Sequence, residues 1–402
     1  NRGGTLSSGV RRATSLSEVA ATVRTTTAVA DGRAGLAYAG TPVFKALEGS
    51  VYVCGLRENE ADRSNLALQN AGGPAEGSVR LRVTRFASEG FGQPVGDDVV
   101  LPPGGFAQLD GIMRGYGNGY VKVERVEGSA PWYAYGVVND RGNSDGSFIP
   151  PHAVDTAPIQ ELVVPAVLET GEYTTELVAT NLSDEDRYFT LQLVSDQIDD
   201  TSHEARATLT VRRRQQVVLP NVLQYFRDFG AKGIAPAPSG IVGSLFVRNY
   251  HGYSLDDFVV GARTSSPGGG GRYGLFYPAT PTTRASAESA WLHGLQQNET
   301  NRTNLAILNT GQSSDGDDLF DVDVFDGETG RLVHTERGLA VMAKRVVQIN
   351  AILSKWAPGV RDGYVHVRRT AGDNPFMTYA VINDGGAPGQ RSDDGAFLSA
   401  SD

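Results

Sequence analysis

The chain has 402 residues, with 46 acidic against 36 basic side chains and a net charge of −10. That balance excludes the clustered cations that nucleic acid or anionic lipid requires, and 40% hydrophobic with 20% charged residues excludes a disordered chain. A single cysteine, Cys54, excludes an intrachain disulfide or thiolate metal cluster, and no run approaches the roughly 18 apolar residues of a membrane span.

The first residues, Asn1-Arg2-Gly3-Gly4, lack the basic and apolar regions of a secretory leader, so the chain reads as cytosolic or as a mature or trimmed piece. Residues 4–42 align without a gap on residues 243–281, with SLSEVAATVRTTTAVADGRAGLAYAGTP against SLDDFVVGARTSSPGGGGRYGLFYPATP. Residues 1–42 therefore read as the last two strands of a preceding module. Two strands are marginal alone in water. The hairpin must pack on the following module or be completed by strands of another subunit.

Three full copies follow, over 43–155, 156–280 and 281–402. YVCGLRENEADRSNLALQN (52–70) answers WLHGLQQNETNRTNLAILN (291–309), and VPAVLETGEYTTELVATN ends a third copy at Asn181. GYVKVERVEG (119–128) answers DGYVHVRRTAG, and WYAYGVVNDRGNSDGSFIP (132–150) answers FMTYAVINDGG with DDGAFLSA. A unit of this length is a self-sufficient domain rather than a solenoid repeat.

Within each copy the apolar period is two. Val79, Leu81 and Val83, then Phe189, Leu191 and Leu193, then Phe320, Val322 and Val324 alternate with polar residues, the pattern of strands with one wet face. Six or seven strands per module are expected. Asp145-Gly146, Asp326-Gly327, Asp362-Gly363, Asp384-Gly385 and Asp394-Gly395 read as turns. One short helical turn interrupts each copy, at 109–116, 219–226 and 349–356, with Asp110 and Asn350 as N-caps and Ile112, Met113 and Tyr116 buried. Proline-bearing joints at 149–159 and 278–286 suggest semi-stiff connections.

Candidate sites are sparse. Cys54 aligns with His293 and Pro165, so it reads as a passive strand residue. Asn70, Asn181 and Asn309 read as Asx-type strand closures; Arg63 and Asn65 recur as Arg302 and Asn304. Tyr116 and Tyr120, in RGYGNGY, are the candidates for ligand stacking, although their alignment with Trp356, Phe226 and Tyr364 favours core caps. GNSDG (142–146) matches a nucleophile-elbow pattern, but its flanks read strand–loop–strand and no His/Asp pair is placed to activate Ser144. GGGGR (268–272) feeds a strand and reads as a hairpin tip rather than a phosphate cradle. Asp315, Asp317 and Asp318 are the calcium candidates, without EF-hand spacing. Asp321 and Asp323 read as a solvated strand face. The histidines, His152, His203, His251, His293, His334 and His366, are dispersed and offer no metal pair.

The string R-[ST]-N-L-A-x-x-N, followed by GYVxV and YAxVxND…DG[SA]F, resembles the tandem immunoglobulin-like or fibronectin-III-like β-sandwich modules of secreted bacterial surface proteins, over nearly the whole chain. The resemblance implies an all-β fold of tandem antiparallel β-sandwiches and an extracellular or cell-surface setting; it transfers no catalytic residue, and the antibody-type Cys…Trp…Cys core is absent. The reading is a non-catalytic structural or assembly protein, a repeat-built stalk, fibre, adhesin shaft or surface-layer component that assembles by strand complementation. The alternative is a carbohydrate- or protein-binding accessory region of a larger secreted enzyme or adhesin. No cofactor or nucleic acid is expected. The expected partners are further copies, neighbouring surface proteins or a glycan.

Overall fold

A computed structural model describes residues 20–42, 46–47, 49–154 and 157–401. The alternating stretches form strands, all pairings are antiparallel, and the only α-helices among the described residues are Val222–Phe229 and Ile352–Trp356. The fold is all-β.

Each copy folds as two facing sheets. In the first, one sheet has the order Gly146–Ile149, Trp132–Asp140, Asp62–Asn70, Phe106–Leu109. The other runs His152–Ala153, Ser50–Arg57, Asn118–Glu127, Val79–Ala87, Gly92–Pro94, with Val99–Leu101 also on Val79–Ala87. The second copy pairs Gln216–Leu219, Thr174–Asn181, Phe258–Gly268, Gly271–Pro278 against Glu204–Val211, Arg187–Val194, Ile241–Asn249, Glu161–Glu169, Thr280–Pro281. The third pairs Val346–Ile349, Asn301–Asn309, Phe376–Asp384, Gly395–Ser399 against Ser289–Gln296, Asp362–Ala371, Asp318–Asp326, Leu332–Val341. Short edge strands raise the number per module above the six or seven read from the alternation. The two proline-bearing joints are stitched to sheets, through His152–Ala153 on Val51–Tyr52 and Thr280–Pro281 on Leu162–Val163.

Alternate residues of both sheets fill a separate core in each copy. The first holds Val53, Leu66, Leu81, Val121 and Trp132; the second Leu177, Leu191, Phe226 and Leu245, with Phe189 stacked on Phe258 at 3.5 Å; the third Leu292, Leu305, Val322, Val365 and Phe376. Burying one such side chain contributes about 1.5–3 kcal/mol, so each module holds itself together.

The recurring R-[ST]-N-L-A-x-x-N string is spent on this architecture. Its hydroxyl joins the two sheets: Ser64 Oγ donates to Arg57 O and accepts from Arg57 N, and Thr303 does the same with Gln296. Thr175 repeats the clip on Leu168 in the middle copy. The following asparagine caps the short turn across the sheet, Asn65 Oδ1 accepting from Gly111 N and Asn304 Oδ1 from Ala351 N. Those carbonyls take the place expected for Asp110 and Asn350, whose Oδ1 atoms instead accept from Gln108 and Gln348. In the middle copy Asn221 is the N-cap, receiving Gln224 N at 3.0 Å. In the first copy the segment is a tighter turn, with Arg114 N on Gly111 O and Tyr116 N on Met113 O.

The last asparagine closes its strand in all three copies. Asn70, Asn181 and Asn309 are completely buried; each Oδ1 accepts from the amide two residues on, at Gly72, Ser183 and Gly311. Each Nδ2 donates to the neighbouring sheet, at Leu101 O, Val211 O and Val341 O. Asn309→Ala leaves two buried backbone groups without partners and should cost about 2–3 kcal/mol, read as a lowered urea midpoint, with Asn70→Ala and Asn181→Ala giving losses of similar size in their own modules.

Candidate functional site: a hub of four hairpins

A convergence of hairpins lies between the modules. Four hairpins, Thr22–Ala39, Trp132–Ile149, Phe258–Pro278 and Phe376–Ser399, meet through their second strands. Gly32–Ala39 touches both Gly395–Ser399 and Gly146–Ile149, and Gly271–Pro278 touches the same two, which closes a ring. The N-terminal hairpin thus packs on the first module and on the third.

The contacts repeat about a pseudo-twofold. Residues 52–70 stand 239 positions before 291–309, and residues 4–42 stand 239 before 243–281, so the sequence repeats in pairs of modules. On one side Asp140 Oδ2 accepts from Arg272 N at 3.0 Å and Asp145 Oδ2 from Gly274 N at 2.6 Å. On the other Asp384 Oδ2 accepts from Arg33 N at 3.0 Å and Asp394 Oδ2 from Gly35 N at 2.7 Å. Arg263 reaches Ser147 Oγ and stands 3.8 Å from Asp62; its equivalent Arg24 donates to Asn301 Oδ1 at 2.7 Å. Two aromatic triads fill the alternate seams: Tyr38, Tyr135 and Phe148, and Tyr277, Tyr379 and Phe397, with centroids 5.4–5.8 Å apart. Phe276 is lent to the first module's core and its equivalent Ala37 to the third's.

Glycine permits these approaches. A Cβ on Gly271 would lie 1.9 Å from Asp140 Oδ1, and one on Gly32 would lie 2.2 Å from Asp384 Oδ2. Gly269 and Gly270, both at positive φ, form the tip read from GGGGR, and that tip is docked: Asn143 Nδ2 donates to Gly268 O.

Electrostatics at the axis are unusual. Asp145 and Asp394 are at most 1% exposed, so they are not the solvent-facing turn residues that their Asp-Gly pairs suggest. Burial pushes the Asp145 carboxyl up to about 6, against the favourable Gly274 amide and Arg263. Burial, then repulsion from Asp145, holds Asp394 well above the usual carboxylate range. Burial lowers Arg24, partly offset by Asp394 and Asp384.

Further ties lock adjacent modules. Arg57, 5% exposed, makes a bidentate pair with Glu176, and Gly55 N donates to Gln216 Oε1. Lys344 bridges the second and third modules, 2.9 Å from Gln192 Oε1, 3.4 Å from Glu161 and 4.2 Å above the Phe246 ring. Two cavities adjoin the hub. One of about 280 Å³ on the axis is lined by Leu36, Phe148, Leu275, Phe276 and Phe397; the other, about 250 Å³, lies between the second and third modules and is lined by Tyr173, Tyr273, Tyr277, Tyr379, Arg302 and Asp394.

Ser144 and the GGGGR tip lie within the hub's hairpins, whereas the candidate tyrosines, the calcium candidates and Cys54 lie apart from it. Tyr120 is buried, stacked on Phe86 at 4.8 Å, and its hydroxyl donates to Arg214 O of the second module. Tyr116 lies under Arg85 and bonds Gln93. Of the calcium candidates, Asp315 accepts from Gln312 N, Asp318 is buried against Asn374, and Asp317 is exposed. Among the described residues no three acidic, histidine or cysteine side chains are grouped to hold a metal. Asp321 and Asp323 lie on the outer face, covered by Arg337 and Arg368. Ser144 is exposed at a left-handed position (φ 62°) in a strand–loop–strand. Burial pushes the Cys54 thiol up to about 12, so it is no thiolate at neutral pH. The signal for the hub was present in the shared offset of the two gapless alignments, which pairs Gly35 with Gly274, and in the gapped alignment of the last hairpins, which pairs Asp145 with Asp394.

No family model matches this chain, and no curated protein matches it. Among solved structures the infectious bursal disease virus VP2 subviral particle aligns at 9% identity over 87% of this chain and 78% of that chain, with a TM-score of 0.16, too low for the likeness to carry an argument.

Gly32→Ala should separate the N-terminal hairpin from Asp384, and Gly271→Ala should separate the second module's hairpin from Asp140. Amide hydrogen exchange should accelerate at least about tenfold at Arg33 and Gly35 in the first variant and at Arg272 and Gly274 in the second, with the module cores unchanged.

Proposed function

We propose that the chain is a non-catalytic structural protein of the cell surface or extracellular space, whose modules are clamped into one compact body by the four-hairpin hub. The observation that carries the reading is the mirrored set of four carboxylate–amide bonds, two joining the first and second modules and two joining the N-terminal hairpin to the third. Such bonds spend buried polar groups on fixing orientation, which is the requirement of a scaffold. A flexible stalk would leave its joints wet and few.

Assembly by strand complementation is part of the proposal. In each complete sandwich the first strand of the last hairpin has neighbours on both sides, at Asp62–Asn70, Thr174–Asn181 and Asn301–Asn309. The equivalent strand Thr22–Val29 pairs among the described residues only with Gly32–Ala39, and Val23 is 62% exposed on it. An open edge accepts an added strand through its main-chain groups. The alternative, a glycan- or protein-binding role, draws support from the tyrosine-lined cavity of about 250 Å³, since aromatic faces beside polar side chains suit a sugar ring.

Small-angle scattering is expected to give a radius of gyration near the roughly 21 Å of a compact body of this length, and the double variant Asp140→Ala/Asp384→Ala an expanded one. Equal values for both proteins would reject the clamp. In the same measurements Val23→Lys should abolish concentration-dependent multimers; glycan affinity of a monomer that never multimerises would favour the alternative.

A further inference from the structure

We propose that Asp145 and Asp394 form a buried proton-binding site: the two carboxyl groups hold one proton between their Oδ1 atoms, and that proton keeps the hub closed. The inference rests on the hub reading and adds a chemical control to it.

Geometry places the two groups across the pseudo-twofold. Asp145 is bonded to the second module's hairpin at Gly274, while its neighbour Gly146 lies against Leu36 of the N-terminal hairpin. Asp394 is bonded to the N-terminal hairpin at Gly35, while Gly395 lies against Leu275 of the second module's. Both carboxyl groups therefore sit between the same two hairpins, and Asp394 feels the charge of Asp145. In each, Oδ2 is held by a backbone amide and Oδ1 is buried without a donor.

The surrounding charges do not supply that donor. Arg263, 4% exposed, is turned to Ser147 and Asp62, and its Nη2 has no acceptor. Its guanidinium lies against Gly274, where a Cβ would meet Nη2 at 2.5 Å. Arg24 is turned to Asn301, with Nε and Nη2 unpaired. Asp140 accepts from Arg272, Gly142 and Asn143 amides, Asp384 from Arg33 N, Arg391 and Ser392, and Asp393 from Arg302. Tyr273 gives its hydroxyl to Asp31. Tyr173 faces Asp393, Asp394 and Arg302.

Two buried carboxylates repel, and a buried acceptor without a donor is costly. One proton answers both: it sits on one Oδ1, donates to the other, and leaves the pair with a single negative charge facing the two arginines. The directions of titration agree, since both groups bind protons more tightly folded than an ordinary aspartate at 3.8. A raised folded pKa means that the stabilisation is complete below the unfolded value, near pH 4, and is lost as pH rises through about 6 for Asp145.

Asn in place of either residue carries a permanent donor of the same shape. The experiment measures Tm from pH 4 to 8 for the wild-type chain, Asp394→Asn and Asp145→Asn, with infrared difference spectra at pH 6. Wild type should lose several degrees between pH 4 and 7.5, and each variant should follow a flatter curve that lies above wild type at pH 7.5. The wild-type spectrum should carry a protonated-carboxyl carbonyl band that both variants lack. Parallel Tm curves, absence of that band, or failure of both Asn variants to fold would each overturn the proposal. A clamp that fails altogether would instead appear as an unchanged radius of gyration in Asp140→Ala/Asp384→Ala, which separates the two readings.

Discussion

A backbone amide that leaves water must find an acceptor, and at the tips of the hub's hairpins the acceptors are carboxylates. That single requirement sets the arrangement of the chain. The hairpin tips at Arg33, Gly35, Arg272 and Gly274 cannot be buried against an apolar surface, because their amides would be left unsatisfied. They can be buried only where Asp384, Asp394, Asp140 and Asp145 stand ready. The aromatic triads and the lent side chains Phe276 and Ala37 add burial, but apolar contact is non-directional and would tolerate sliding. The carboxylates remove that freedom.

A repeat array of independent sandwiches is usually pictured as a string whose joints set its stiffness. Here the joints in sequence, around residues 149–159 and 278–286, matter less than contacts between hairpins far apart in the chain. Gly32–Ala39 and Gly395–Ser399 are neighbours although they come from opposite ends of the described residues. A ring of this kind joins elements that do not follow one another in the chain.

The fold was legible because its signals are local. Alternation at Val79–Val83, Phe189–Leu193 and Phe320–Val324 names the inward face of a strand, and Asn70, Asn181 and Asn309 could be read as strand closures from their place at the end of each run. The caps were misplaced because their donors are remote: Asn304 lies 47 positions from Ala351, and local sequence favours the nearer Asn350. The hub was hidden for a stronger reason. Asp145-Gly146 and Asp394-Gly395 carry ordinary turn chemistry, and nothing within a few residues distinguishes a turn in water from one buried against a hairpin more than 120 positions away. Tyr120 drew attention as an aromatic among glycines, and that surrounding reflects the close approach of the second module's backbone at Arg214.

The alternation of the two docking faces has a genealogical corollary. Modules that present aspartates and modules that present glycine-rich tips come by turns, and the sequence repeats over the pair, 239 residues long. Copying one module alone would set two faces of the same kind against each other, and the carboxylate–amide bonds of the hub would have no counterpart there. Copying two restores every partner. The unit that keeps the docking faces matched is therefore the pair of modules rather than the single one.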